Sequence, residues 1–332
     1  MSLKTSETTE GGVAAPQSGA PQSVAPQSVA AAAESARAGE AAAATAGAPH
    51  AHAGTPPVPT GLPHVSIRPE DAGVQLNLGD LWAYRELLYF LTWRDIKVRY
   101  KQTLMGVAWV IIQPLLTMLI FTVVFNRFAR LDAGAIPYPL FAYAGLLLWT
   151  FFSVAVSSGT NSLISNTSLV TKIYFPRAFI PAAAVVAGIV DLGVGSILLA
   201  VLAAYYGVHV TWGLLLLPVF VLLAAALALG VGLVSAALTV KYRDLRHALP
   251  VLLQFWMFAS PVIYPPGVVP ERWRPLLAAN PMTGILEGFR ASLAGLDFDW
   301  RLVAVPAVVA PALLAFAFYV FRRLEDTFAD VI

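Results

Sequence analysis

Between Lys101 and Arg127 the chain carries no formal charge, whereas the nine residues before that run carry five, Arg94, Asp95, Lys97, Arg99 and Lys101. A basic segment thus leads directly into a stretch long enough to cross a bilayer, which takes about 20 predominantly apolar residues. Six stretches qualify, the fifth somewhat short: Gly106–Asn126, Pro139–Thr160, Ala178–Tyr206, Trp212–Val240, Ala248–Tyr264 and Leu302–Phe321. Only 12% of residues are charged, against about 25% in soluble domains, and the mean hydropathy is +0.71. Too few polar groups remain to solvate a globular surface, so the sequence predicts an all-α integral membrane protein of six transmembrane helices. With no cysteine, disulfide and thiolate chemistry are excluded.

The distribution of Lys and Arg orients these spans. On one side fall Arg85, Arg94, Lys97, Arg99, Lys101, Lys172, Arg177, Lys241, Arg243, Arg246, Arg322 and Arg323. The other side has half as many: Arg127, Arg130, Arg272, Arg274, Arg290 and Arg301. Both termini are therefore predicted to be cytoplasmic.

Residues 1–79 are rich in Ala, Pro, Ser and Gly and repeat APQS three times, from Ala15, Ala20 and Ala25. With few large apolar residues this region cannot offset the entropy of ordering, and it reads as a disordered cytoplasmic tail. A proline-rich docking site, or a metal site at His50 and His52, is a weaker reading. Residues 80–104 predict an amphipathic interfacial helix. Asp80 can cap it, Leu81, Tyr84, Leu88, Leu91 and Val98 form an apolar stripe, and Arg94, Lys97 and Lys101 form a basic one. Trp82, Tyr84, Tyr89, Trp93 and Tyr100 suit headgroup depth. Its charges serve either as orientation anchors alone or also as contacts for a cytoplasmic partner.

Between spans five and six lie two short amphipathic pieces, near Glu271–Ala279 and Met282–Ala294, broken at Asn280-Pro281. Neither is long enough to cross. Backbone at membrane depth must satisfy its hydrogen bonds internally, so the segment predicts an outer re-entrant helical hairpin, the alternative being an ordinary surface loop.

No phosphate-binding GxxxxGK[ST], no HExxH, no GxSxG and no dinucleotide fingerprint occurs. Asp191 is the sole acid within the expected spans, and no base accompanies it there. Ion-coupled carriers keep several membrane-embedded ionisable groups, so Asp191 reads first as a helix-packing hydrogen bond near Gly188, Gly193 and Gly195. Energy for uphill transport would come from another subunit. The loop Asn161–Pro181 offers that subunit a handle: a short amphipathic piece around Leu169–Ile173, then exposed Lys172, Tyr174, Phe175 and Arg177. Lys241–His247 (KYRDLRH) offers a smaller one. Simple anchoring of the spans by these bases is the competing reading.

From about Leu87 onward the chain resembles the membrane subunit of ABC-2 type polysaccharide exporters, the O-antigen, capsule and teichoic-acid permeases. The resemblance rests on WRDIKVRYKQT with MGVAWVIIQP (Trp93–Pro114), KIYFPR (Lys172–Arg177) followed by Pro181, and YRD (Tyr242–Asp244). SPVIY (Ser260–Tyr264), Asn280-Pro281 and GFR (Gly288–Arg290) continue it in order. Met105 stands where the family often has an aliphatic residue. The resemblance implies an ABC-2 transmembrane domain over residues 105–332, working as a homodimer with two ABC ATPase subunits. ATP and magnesium would be bound by that partner; this chain would hold no cofactor or metal and bind no nucleic acid. It also implies ATPase coupling through Lys172, Ile173, Tyr174, Phe175, Pro176 and Arg177, with Arg243 and Asp244 as the second contact. The substrate would be a lipid-linked glycan, and the setting the bacterial cytoplasmic membrane.

A glycan sliding through a pore needs flat apolar faces for its C–H surfaces. Trp109 and Phe121 in the first span and Phe255, Trp256, Phe258 and Tyr264 in the fifth are candidates, with ordinary packing the competing reading. Gln113-Pro114 interrupts helical hydrogen bonding where a path could pass. Two other functions remain open: an ABC-2 permease for a small amphiphile or drug, and a membrane-embedded enzyme or scaffold. The latter requires a cluster of acids or histidines at one face, which the sequence lacks.

Overall fold

The computed structural model describes residues 84–101, 106–128, 134, 136–172, 175–209, 211–325 and 328. The tail at 1–79, Asp80, Leu81, Trp82, Ile173 and Tyr174 lie outside the described residues. Among those described, every element is helical. They are α1 (Arg85–Lys101), α2 (Gly106–Phe121), α3 (Tyr138–Ser165), α4 (Thr167–Lys172), α5 (Phe179–Tyr205), α6 (Leu217–Lys241), α7 (Leu245–Phe258), α8 (Arg274–Ala279), α9 (Pro281–Ala294) and α10 (Trp300–Glu325).

Among the described residues five helices are long and apolar enough to cross a membrane: Ala108–Phe125 (α2 with its continuation), α3, α5, Trp212–Lys241 (a 3-10 turn followed by α6) and α10. The expected fifth span differs. Its helix, α7, has 14 residues, about 21 Å at 1.5 Å per residue, and the chain leaves helical geometry after Ala259 towards Ser260-Pro261.

The bundle is built around α3. In the most apolar window of each span, 78% of α3 is buried but only 11% of the first span. Small residues let α6 approach: at their crossing, a β-carbon on Gly159 would lie 3.6 Å from the Cα of Gly232. Such glycine contacts are how helices pack where lipid removes the hydrophobic drive for association. The first span is the loosest: Pro114 and Met118 are buried, whereas Trp109, Leu116, Leu119, Ile120, Val123 and Val124 are exposed. Pro114 cannot donate to Val110, yet α2 continues through it and then widens into π turns over Thr122–Phe128.

Buried side chains form two cores. The larger includes Tyr143, Leu148 and Phe152 of α3, Leu192 of α5, Leu227 of α6, and Leu286 and Phe289 of α9. The smaller gathers Leu91, Leu163, Val170, Phe179, Leu233, Val240 and Phe321. It lies at the end where α3 finishes, α5 begins, and α6 and α10 finish; Lys172, Lys241, Arg243 and Arg323 are exposed at that end.

Two short helices, α8 and α9, occupy the segment where the hairpin was expected, divided at Asn280, whose side chain caps α9 by accepting from Met282 N at 3.1 Å. Gly295 (φ +65°) closes α9 in the left-handed conformation common after helices. α9 does not lie on a surface: Met282, Ile285, Leu286 and Phe289 are enclosed by the bundle.

α1 also departs from expectation. It packs lengthwise on the first half of α5, with Tyr84 against Phe179 (ring centroids 6.3 Å apart) and Arg99 and Tyr100 reaching Asp191. Leu91 is buried and Leu88 packs beside it, but Val98, placed on the same stripe, is 60% exposed.

Candidate functional site

Three regions carry the residues singled out above. The first is the basic end. Lys172 ends α4 and is exposed. Phe175, expected to be exposed, is instead buried at 6%. Its ring joins the small core with Ala178 and Phe179. Pro176 and Arg177 are half-buried. Arg177 is also committed elsewhere: its backbone N donates to Glu325 Oε1 at 2.8 Å and its guanidinium to the Glu325 carbonyl. It therefore fastens the start of α5 to the end of α10. Arg243 and Asp244, in the link between α6 and α7, are exposed.

The second region is the first span and its surroundings. A cavity of about 460 Å³ separates α2 from α3 and α5. Trp109 and Gln113 line it from α2, Leu147 and Phe151 from α3, and Asp191 from α5, with Arg99 at its edge. Asp191 makes the helix-packing hydrogen bonds expected of it, with α1 as the partner: Arg99 donates to Oδ2 and the Tyr100 hydroxyl to Oδ1. Burial pushes the Tyr100 phenol above its ordinary value, which keeps it protonated and a donor. The Gly195 carbonyl, one turn further along α5, accepts from the Tyr143 hydroxyl at 2.9 Å. Of the orientation bases, Arg94 pairs with its neighbour Asp95 (2.8 Å) and Lys97 lies 5.3 Å above Trp93; Lys101 is exposed. Phe121 stacks obliquely on Phe125 (5.6 Å) and is half-buried.

The third region is the end of α7. Phe255 and Phe258, 69% and 51% exposed, share one face with Val251 and Leu252. Trp256 points the other way. Its ring packs edge-on to Phe152 (5.1 Å) and Trp149 (6.5 Å), and its Nε1 donates to Asn280 Oδ1 at 3.0 Å. It is a packing residue between α7, α3 and the α8–α9 junction. Tyr264 is half-buried and donates to the Phe258 carbonyl at 3.1 Å. None of the α7 aromatics lines the cavity beside α2.

Beyond α7, the irregular backbone has its carbonyls met by side chains, as backbone at membrane depth requires. Arg290 Nη1 donates to Pro261 O (2.7 Å) and Nη2 to Val262 O (2.6 Å), while Nε reaches Phe141 O (3.3 Å). Tyr138 donates to Ile263 O (2.8 Å), and Asn280 Nδ2 to Ser260 Oγ (2.8 Å) and Ala259 O (3.2 Å). Arg290 is 2% exposed, pairs with Glu287 at 2.8 Å and lies 3.5 Å over the Phe141 ring. It is thus no outer surface charge, and it drops out of the count that oriented the spans. The sequence signal for this role was the acid one turn earlier, at Glu287, inside an apolar helix.

Among the described residues no group of His, Asp or Glu is arranged to hold a metal ion. Among the described residues the arrangement offers apolar and aromatic faces, two internal ion pairs (Arg99–Asp191 and Arg290–Glu287) and a basic end, which suits conduction.

Known proteins agree with that reading. A family model described as "ABC-2 type transporter" matches residues 86–294. The O-antigen export system permease protein RfbA of Myxococcus xanthus is 33% identical over 261 residues, covering 76% of this chain and 98% of that protein. A protein of the same name from Klebsiella pneumoniae is 25% identical, covering 78% and 98%. The polysialic acid transport protein KpsM of Escherichia coli is 22% identical, covering 58% and 76%. The chain belongs to the ABC-2 type transporter family.

Proposed function

We propose that this chain is the membrane permease subunit of an ATP-driven exporter that moves a lipid-linked polysaccharide across the bacterial inner membrane. The observation that carries this reading is the similarity to an O-antigen export permease over 98% of that protein's length. The chain has no nucleotide-binding motif, so ATP hydrolysis belongs to an ABC ATPase partner. Two copies of this subunit with two ATPases form the working unit.

In this reading both termini are cytoplasmic, and the end bearing Lys172, Lys241, Arg243 and Arg323 faces the cytoplasm. There α4, with Lys172, and the Arg243–Asp244 turn receive the ATPase. α7 and the irregular segment to Tyr264 together make a sixth crossing, and α8–α9 form the outer re-entrant pair. The exposed faces of α2 and α7, with Trp109, Phe255 and Phe258, line the glycan path at the dimer axis.

Deletion of the gene together with complementation tests the function. Loss of surface polysaccharide, accumulation of lipid-linked polymer in the cytoplasmic leaflet, and restoration by the intact chain are expected. Normal surface polysaccharide with altered sensitivity to a small amphiphile would instead favour a drug or lipid permease.

A further inference from the structure

Asp191 stands in the middle of a 27-residue helix whose neighbours in sequence are apolar. A carboxylate at such depth calls for a partner, and intramembrane ionisable groups usually mark function. Both of its oxygens are taken by α1, Oδ2 by Arg99 and Oδ1 by Tyr100. The pair is well shielded, the side chains being 29% and 16% exposed. Apolar residues such as Leu88 and Leu91 of α1 and Phe179 of α5 share the smaller core. Apolar surfaces tolerate a slip of one helical turn, about 5.4 Å, whereas a bidentate carboxylate does not. The 460 Å³ cavity is lined by Asp191 and Arg99 together with Trp109 and Gln113 of α2.

We propose that Asp191 is a positioning residue that fixes the register of α1 on α5, so that the two helices move as one lever while α2 shifts over its cavity. α4 is the element before α5 in the chain, so a push at Lys172 and a displacement of α1 arrive on the same lever. The charge pair specifies position; well-packed apolar residues of similar volume would hold the helices together as firmly. This inference rests on the exporter reading for its transport consequence, but the register itself does not.

The test uses the full complex with its ATPase in membrane vesicles, measuring polymer exported and ATP hydrolysed. Asp191→Asn is expected to lower polymer exported per ATP by about tenfold, a size typical of removing one member of a coupled pair. The exchange of charges, Arg99→Asp with Asp191→Arg, is expected to restore most of it. Wild-type coupling in Asp191→Asn, or a double exchange no better than the single variant, overturns the proposal.

Because Asp191→Asn can fail to assemble, a second measurement uses the absence of cysteine in the chain. Tyr100→Cys with Asp191→Cys are joined by a short bis-methanethiosulfonate linker, cleavable by reductant. Linkage in the membrane, with export higher in the linked than in the cleaved form, is expected. No linkage, or export blocked by the link and released by reductant, overturns the proposal. If the wild-type complex moves no polymer at all, the exporter reading fails, and the linkage yield still reports whether α1 is held at Asp191.

Discussion

Gly145 of α3 and Arg290 of α9 meet with no space between them: a β-carbon on Gly145 would lie 2.2 Å from Arg290 Nη2 and 2.3 Å from the Val262 carbonyl oxygen. Three elements converge there, and the guanidinium joins them. Its planar fork serves the carbonyls of Phe141, Pro261 and Val262 at once, a task for which the ammonium of lysine has the wrong geometry.

Gly145→Ala is therefore expected to displace the guanidinium and cost about 1–3 kcal/mol, the usual range for overpacking. Arg290→Lys is expected to cost about 3 kcal/mol or more, because it leaves buried carbonyls unpaired. Thermal unfolding of the purified complex in detergent reads both. Loss of no more than 0.5 kcal/mol, roughly the scatter of surface substitutions, would show that the irregular segment does not depend on this side chain.

Phe255→Ala with Phe258→Ala is expected to reduce polymer export sharply with little change in assembly, since both rings are exposed. Trp256→Ala should do the reverse. Its ring packs on Phe152 and Trp149, so truncation is expected to cost about 3 kcal/mol in stability. Export assays paired with yields of folded complex separate the two, and equal behaviour of the three positions would argue against a path-facing side of α7.

Lys172→Glu with Arg243→Glu is expected to lower substrate-stimulated ATP hydrolysis by the partner while the chain inserts normally, because both side chains are exposed at the basic end. Arg177→Ala is expected to act differently, loosening α5 from α10 through the lost contact to Glu325. ATPase rates measured against the amount of assembled complex distinguish these outcomes. Unchanged stimulation in the double variant would move the ATPase contact elsewhere.

Asn280→Ala is expected to cost about 1–2 kcal/mol through the lost helix cap alone. The effect should be larger than for an exposed cap, because Asn280 also accepts from Trp256 and donates to Ser260 and Ala259. Comparison with Asn280→Asp, which keeps the acceptor and loses the donors, apportions the two.

Much of this architecture was legible from charge-free length: the bounds expected for five of the spans fall close to α2 with its continuation, α3, α5, α6 with the turn before it, and α10. The break at Asn280-Pro281 was legible too, because proline and a capping side chain act locally. What escaped was set by contacts distant in sequence. Asp191 finds its partners 92 and 91 residues away, so no local pattern announces them. Arg290 looked like an outer charge because a lone arginine in a loop usually is; its burial depends on carbonyls 28, 29 and 149 residues away. Phe175 and Trp256 belong to helical faces or turns whose direction is decided by which neighbour offers volume. Phe255 and Trp256 are adjacent in sequence, yet the first is exposed and the second packs on Phe152 and Trp149.

Between the two buried cores α3 crosses α6 at Gly159 and Gly232, backbone against backbone, with Leu229 packed against both cores. Mechanically this is a waist. Large interdigitated side chains resist sliding because every displacement breaks many contacts, whereas two bare backbone surfaces turn about each other at small cost. A torque applied at the basic end would concentrate its strain at that crossing and leave each core rigid, so amide exchange along α3 should peak near Gly159.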